Sequence, residues 1–168
     1  MRGWVVTVQI AIGSDHAGYN LKELIKEQFK GEGVSFVDFG TNSTEAVDYP
    51  DIARPVAESV ARGESRFGIL ICGTGIGMVI AANKVPGVRA ALCHDVFTAR
   101  AAREHNDANV LTLGERVTEA GLACEIVRAW LQAAFQGGRH ERRVNKIRSI
   151  EEEFCGRCLQ KREDSAVD

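Results

Sequence analysis

The stretch that decides the fold is FGILICGTGIGM, residues 67–78. Its first six residues are almost wholly apolar, as expected of a central strand in a parallel sheet, where helices cover both faces. A glycine-rich turn follows. Its glycines let backbone N–H groups point inward where a helix begins, which makes a nest for an anion. The sequence therefore predicts a buried strand that ends in an anion-binding turn.

This turn differs from the common nucleotide-binding motifs. Methionine stands at position 78, where G-x-G-x-x-G needs its third glycine, and the Lys-Ser/Thr pair of a P-loop is absent. Its distinguishing feature is the thiol directly before it, Cys72. A cysteine at a helix N-terminus has a stabilised thiolate and can act as base or nucleophile near neutral pH. The alternative is an inert buried cysteine beside a tight turn, and the local sequence leaves both interpretations open.

Around this stretch, short apolar runs alternate with longer amphipathic segments, a pattern typical of βα units on a parallel sheet. Four further strands are predicted, over residues 5–13, 34–40, 88–93 and 108–114. A charged helix is predicted over residues 141–154, after a Gly-Gly break. We expect one α/β domain over residues 1–154 and a polar tail over residues 155–168 that frays.

Composition and charge narrow the class of protein. The chain has 168 residues and a formal net charge of −2, so no global charge attracts it to nucleic acid or an anionic membrane. The first residues predict a strand rather than a signal peptide, and no apolar run approaches the ~20 residues of a membrane span. The five cysteines are odd in number, which suggests reduced thiols, and we expect a cytoplasmic protein.

Polar residues able to bind a ligand or transfer a proton lie at the ends of two other predicted elements. Asp15 and His16 come directly after the first strand, and His105 and Asn106 end the helix that follows the fourth strand. Each pair has a simpler interpretation, Asp15 as a helix N-cap and His105 as a cation at a helix C-terminus. Ligands of such sheets bind beyond the carboxyl ends of the strands, so we expect both pairs to lie with Cys72 at one sheet edge. Together they supply acid and base groups beside an oxyanion site, as enolisation next to a carbonyl requires.

Two further features lie near the C-terminus. Arg139 and Arg143 are four residues apart, so on a helix both guanidinium groups project from one face and suit a phosphate dianion. A solvated charged face is the alternative. Cys155 and Cys158 have the spacing of half a zinc knuckle or a redox pair, but no second ligand pair of matching spacing is visible. We assign them to the tail, without a catalytic role.

Taken together, the motifs closely resemble type B ribose-5-phosphate isomerase, within a wider group that includes the subunits of galactose-6-phosphate isomerase. The resemblance covers roughly residues 9–151, in the same order and with similar spacing. The blocks that carry it are GSDHAGYNLK, DYPDIA, GILICGTGIGMVIAANKVPGVRAALC, REHNDANVLTLGERV and GGRHERRV. One branch of the family replaces the cysteine by a glutamate a few residues later. Here that stretch is GIGMVIA, which has no acid, so the chain resembles the cysteine-dependent branch.

The resemblance implies a Rossmann-like three-layer α/β fold, with a five-stranded parallel sheet flanked by helices and a C-terminal helix. It also implies no metal and no organic cofactor. The expected partner is a small-molecule sugar phosphate. The expected assembly is a homodimer with active sites shared between subunits, or a tetramer.

The resemblance also implies a role for each matching residue. Cys72 matches the thiolate that moves the proton between C2 and C1 through a cis-enediolate, and His105 matches the residue that opens the furanose ring. Thr74, with the amides of the turn, matches the group that stabilises the enediolate oxygen, usually the largest contribution to catalysis. Asp15 and His16 match contacts to substrate hydroxyls or the ring oxygen. The full substrate-binding set comprises Asp15, His16, Tyr49, Gly73, Gly75, Gly77, Asn106, Arg116, Arg139 and Arg143, of which the three arginines match phosphate ligands.

The resulting hypothesis is an aldose–ketose isomerase that interconverts D-ribose 5-phosphate and D-ribulose 5-phosphate. Two alternatives stay open at this point. One is an isomerase of a 6-phosphate hexose such as allose or galactose 6-phosphate. The other is a module that binds a sugar phosphate without turnover, for which replacing Cys72 would leave function intact.

Overall fold

The chain folds as alternating strands and helices. The computed structural model describes the backbone of residues 8–164 and the side chains as far as Cys155, so the predicted strand over residues 5–13 lies partly outside the described residues. The strands are β1 (Val8–Ser14), β2 (Val34–Asp38), β3 (Phe67–Cys72), β4 (Ala90–Leu92) and β5 (Val110–Gly114). The helices are α1 (Tyr19–Gln28), α2 (Tyr49–Ala61), α3 (Ile76–Ala82), α4 (Val96–Asn106), α5 (Ala120–Gln132) and α6 (Arg139–Asp164), with a short 3-10 helix at His16–Gly18.

The five strands form one sheet in the order β2-β1-β3-β5-β4, and all neighbours are parallel. The α/β fold and the five-stranded parallel sheet predicted from the sequence are confirmed. From β1 the chain first adds β2 on one side and then β3 on the other, so β1 and β3 flank a topological switch point. The crevice beyond the carboxyl ends of these two strands is where ligands of open α/β sheets bind.

Strand β3 lies at the centre, and each of its six residues is buried. Ile69 and Ile71 belong to the core formed with α1, α4 and α5, which includes Trp130. Leu70 and Cys72 belong to the core on the other face, with α2 and α3. Burial of each large aliphatic side chain stabilises the fold by about 1.5–3 kcal/mol. The carboxyl end of β3 is therefore held in position by packing on both faces of the sheet.

The last helix is longer than predicted. Helix α6 begins at Arg139 and continues to Asp164, so the predicted helix bounds of residues 141–154 are too short at both ends. A polar composition does not prevent a helix, because arginine, lysine, glutamine, glutamate and leucine all have high helix propensity. Within residues 8–164, no helix is both long and apolar enough to cross a membrane.

Candidate active site

Cys72 is the last residue of β3 and opens the glycine-rich turn before α3. Its Sγ accepts a hydrogen bond from the backbone N–H of Gly75 at 3.1 Å. The contact places a backbone hydrogen-bond donor directly against the sulfur, at the turn before a helix. Cys72 is 5% exposed, so little of its surface is accessible from solvent.

The turn requires glycine at Gly75. Its φ is +80°, in the left-handed region. A Cβ there would lie 2.5 Å from Leu92 Cδ1 and 3.0 Å from the backbone of Leu113. Thr74 is exposed beside it, and its Oγ1 accepts a hydrogen bond from the N–H of Ile76 at 3.4 Å. The turn therefore holds backbone amides and one hydroxyl around the sulfur.

Asp15 and His16 follow β1, the strand next to β3. Asp15 Oδ1 accepts the N–H of Ala17 at 2.9 Å, so this residue does cap the 3-10 helix. Burial raises the pKa of the Asp15 carboxyl, partly offset by that N–H and by the charges of His16 and Arg116. His16 Nδ1 accepts the N–H of Val47 at 3.3 Å, which leaves the proton of a neutral ring on Nε2.

These side chains line one cavity of about 270 Å³ at the switch point, which we call the Cys72 pocket. It is lined by Asp15, His16, Ala17, Tyr49, Cys72, Gly73, Thr74, Gly77 and Arg116. The Arg116 guanidinium lies over Gly73, where a Cβ would come within 3.3 Å of it. The Tyr49 ring lies over Gly77, where a Cβ would come within 2.8 Å. The absence of side chains on the turn makes room for both groups.

The other predicted site residues, His105, Asn106, Arg139 and Arg143, lie together with His140 in a second cluster, which we call the His105 group. The rings of His105 and His140 stack with their centroids 4.3 Å apart and an interplanar angle of 6°. Arg139 Nε donates to His140 Nε2 at 3.4 Å. Desolvation lowers the pKa of His140, and His105 and the two arginines lower it further. This cluster is electropositive, as an anion site should be.

The His105 group lies at the opposite edge of the sheet from Cys72, so the prediction of one shared edge within a chain is wrong. Helix α4 starts beyond the carboxyl end of β4 and runs back against the strand direction, so its last residues lie near the amino ends of the strands. Arg89, just before β4, marks this edge, since its Nη2 lies 2.8 Å from Asp107 Oδ2. Helix α6 begins beside the same end of α4, where the Gln136 N–H donates to the Glu104 carbonyl at 3.0 Å.

His140 is the residue that the sequence-based site missed. The side chain of His140 is buried against His105, although it lies between two arginines that were selected for their spacing. Its position inside the GGRHERRV block was the available signal. Among the described residues, no three His, Cys, Asp or Glu side chains are placed together as a metal ion would require.

Known proteins resemble the chain over nearly its whole length. Residues 10–147 match the family model described as Ribose/Galactose Isomerase. Ribose-5-phosphate isomerase B of Escherichia coli is 50% identical over 144 residues, which are 86% of this chain and 97% of that protein.

Solved structures agree with the sequence relatives. Ribose-5-phosphate isomerase B of Clostridium thermocellum superposes with a TM-score of 0.86 at 57% identity, covering 88% of this chain and 99% of the other. The Mycoplasma genitalium ribose-5-phosphate isomerase B, solved with bound ribulose-5-phosphate, superposes with a TM-score of 0.84 at 46% identity, again covering 88% of this chain and 99% of the other.

Proposed function

The chain belongs to the ribose/galactose isomerase family, and on this premise we propose that it interconverts D-ribose 5-phosphate and D-ribulose 5-phosphate. The named function of its relatives and the ribulose-5-phosphate bound by one of them support this substrate pair. The observation that carries the chemistry is the Cys72 sulfur at the end of the central strand, which lies 3.1 Å from the Gly75 backbone nitrogen in a pocket of about 270 Å³.

The reaction starts from the closed furanose and has two stages, ring opening and isomerisation of the open chain. Ring opening breaks the bond between C1 and the ring oxygen, removes the proton of the C1 hydroxyl and protonates the ring oxygen. His105 is the group that we assign to this step, because an imidazole donates and accepts protons near neutral pH. Asp15 and His16 line the pocket wall on the β1 side and orient the sugar hydroxyls.

Isomerisation of the open chain then passes through a cis-enediolate. The Cys72 thiolate removes the proton from C2, and the electron pair moves onto the C1 carbonyl oxygen. The proton of the C2 hydroxyl then passes to the C1 oxygen, and the thiol returns a proton to C1, which leaves a carbonyl at C2 and regenerates the thiolate. The negative oxygen develops beside the amides of the turn and the Thr74 hydroxyl, and the Arg116 guanidinium lies over the same turn. Preorganised donors of this kind stabilise a charge that exists only in the transition state.

A second copy of the chain completes the site in this proposal. His105, Asn106, Arg139 and Arg143 lie at the opposite sheet edge from Cys72, so one chain does not bring the two groups together. In a twofold homodimer, the His105 group of one subunit meets the Cys72 pocket of the other, and the relation holds both ways. A tetramer built from two such dimers keeps the same sites. The paired arginines then bind the phosphate from across the interface.

The remaining assignments follow the same proposal. We assign residues 1–154 to one domain. Residues 155–164 continue helix α6 and lie outside the family match, which ends at residue 147. The described cysteines are all free, which supports a reducing compartment such as the cytoplasm.

A substrate panel tests the proposal. Ribose 5-phosphate, allose 6-phosphate and galactose 6-phosphate are assayed with the wild type, Cys72→Ala and the matched control Cys124→Ala. We expect turnover of ribose 5-phosphate by the wild type and the control. Loss of Cys72 should lower the rate by about 10²–10⁴-fold, the contribution of a positioned base, while ligand binding persists. A preference for a hexose phosphate would contradict the substrate, and wild-type turnover by Cys72→Ala would remove the thiolate from the mechanism.

A further inference from the structure

Asp107 ends helix α4 in an unusual backbone conformation. Its φ is +48° and its ψ is 42°, and it is the one non-glycine residue with positive φ among residues 8–164. Aspartate tolerates this left-handed region better than most residues, but the conformation is disfavoured and persists where the surroundings hold it in place. Its backbone N–H donates to the carbonyl of Ala102, which closes the last turn of the helix.

Arginines from three elements surround the Asp107 carboxylate. Arg103 of α4 places Nη1 3.1 Å from Oδ1. Arg89, just before β4, places Nη2 2.8 Å from Oδ2, and its Nε donates to the Asp107 carbonyl at 2.9 Å. Arg148 of α6 places Nη2 3.8 Å from Oδ2. The carboxylate is three-quarters buried, so these contacts are only partly screened by water.

These contacts hold the segment that carries His105 and Asn106, the two residues directly before Asp107. The ion pair with Arg89 connects the end of α4 to the residue before β4, and the ion pair with Arg148 connects it to α6. Arg148 is eight residues after His140 on α6, about two helical turns, so both lie on the same face of that helix. The carboxylate therefore helps to set the distance between α4 and α6, on which the stacking of His105 against His140 depends.

We propose that Asp107 is a positioning residue that holds His105 in place for ring opening of the sugar phosphate. The inference rests on the proposed function, in which His105 opens the ring and Cys72 carries out the enolisation. It predicts a specific defect. Loss of the carboxylate impairs ring opening, which needs the His105 imidazole itself, more strongly than the proton transfer at Cys72, which needs the His105 group only for phosphate binding by Arg139 and Arg143.

Substrate chemistry separates these two steps. Ribulose 5-phosphate is an open chain, because its C5 oxygen carries the phosphate and cannot close a furanose ring. Removal and return of a proton at its C1 therefore need the base but no ring opening. In D₂O, this reaction places deuterium at C1 of ribulose 5-phosphate, because the thiol proton exchanges with solvent. Turnover of cyclic ribose 5-phosphate needs both steps.

The variant Asp107→Asn keeps the size and the left-handed preference of the side chain and removes its charge. We expect ribose 5-phosphate turnover to fall by about 100-fold, the effect of a small misplacement of a catalytic group. Deuterium incorporation is measured at saturating ribulose 5-phosphate, where weaker phosphate binding does not lower the rate, and it should stay near the wild-type rate. The ratio of the two rates does not depend on the fraction of folded enzyme. Arg148→Gln, whose side chain is half exposed, should move the ratio in the same direction by a smaller factor.

The matched control is Glu32→Gln, which breaks an ion pair of 2.8 Å with Arg128 outside both groups and should leave the ratio unchanged. A parallel fall of both rates in Asp107→Asn, or no change in either, would overturn the positioning role. A wild-type protein that neither turns over ribose 5-phosphate nor exchanges C1 would instead contradict the proposed function.

Discussion

The sulfur of Cys72 accepts the backbone N–H of Gly75 at 3.1 Å, across a turn in which Gly75 has a φ of +80°. The left-handed glycine directs its N–H back toward the residue that ends the central strand. A side chain at this position would collide with Leu92, so the contact between this N–H and the sulfur depends on the missing Cβ. The chemistry of the thiol and the conformation of the turn are therefore one feature.

Alkylation should distinguish Cys72 from the other described thiols. Burial raises the pKa of Cys93 to about 11, and burial also raises the pKa of Cys124. Both thiols stay protonated at pH 7–8 and should react slowly with iodoacetamide, since only the thiolate is nucleophilic. We expect Cys72 to be modified faster than either, and ribose 5-phosphate to protect it, as measured by peptide mass spectrometry. Equal rates at Cys72 and Cys93 would contradict the stabilised thiolate.

Gly75→Ala should destabilise the protein more than Gly87→Ala, although both glycines have positive φ. At Gly87 (φ +84°) a Cβ meets nothing within 4 Å, so alanine there costs about 1 kcal/mol of backbone strain. At Gly75 the Cβ also overlaps Leu92 and the Leu113 backbone, which adds about 1–3 kcal/mol. Urea denaturation of both variants gives the two free energies of unfolding. Equal decreases in the free energy of unfolding would mean that the turn accommodates the alanine side chain without steric overlap.

The His140 side chain should make stability depend on pH. Its pKa is lowered in the folded protein by desolvation and by the neighbouring cations, so the unfolded chain takes up the proton at a higher pH than the folded one. The stability is fully present above the unfolded pKa of about 6.5 and is lost as the pH falls below it. We expect His140→Gln to reduce the slope of unfolding free energy against pH between 7.5 and 5.5. The exposed His94 provides the control, and His94→Gln should keep the wild-type slope.

Mixing two inactive variants should restore activity if the site is shared between copies. In a heterodimer of Cys72→Ala and His105→Gln chains, one site has both intact residues and the other has neither. At equal mixing, half of the dimers are mixed and half of their sites work, so we expect about a quarter of wild-type activity. Unfolding and refolding the mixture together allows the exchange. If both residues acted from the same chain, the mixture would stay inactive.

Much of the fold and of the Cys72 pocket could be predicted from the sequence. The run FGILIC has no polar residue, and a strand without one belongs at the centre of a parallel sheet, where both faces are buried. The residues after β1 and β3 were placed correctly, because neighbouring parallel strands end at the same edge. The extent of α6 could not be predicted from hydrophobic patterning, because its polar residues carry no core-facing pattern.

The sequence by itself determined which chemical groups the protein carries. A thiol before a glycine-rich turn, an acid and a histidine after the first strand, and an arginine pair after a Gly-Gly break can all be recognised in the printed chain. Only the tertiary structure decided which of them meet within one subunit. Helix α4 returns the chain from one sheet edge to the other, so His105 and the arginines lie at the far edge from Cys72, whatever their chemistry. The sequence specifies which residue types are present and how they are spaced. The edge of the sheet at which a residue lies depends on whether it follows a strand or ends the crossover helix, which runs antiparallel to the strands.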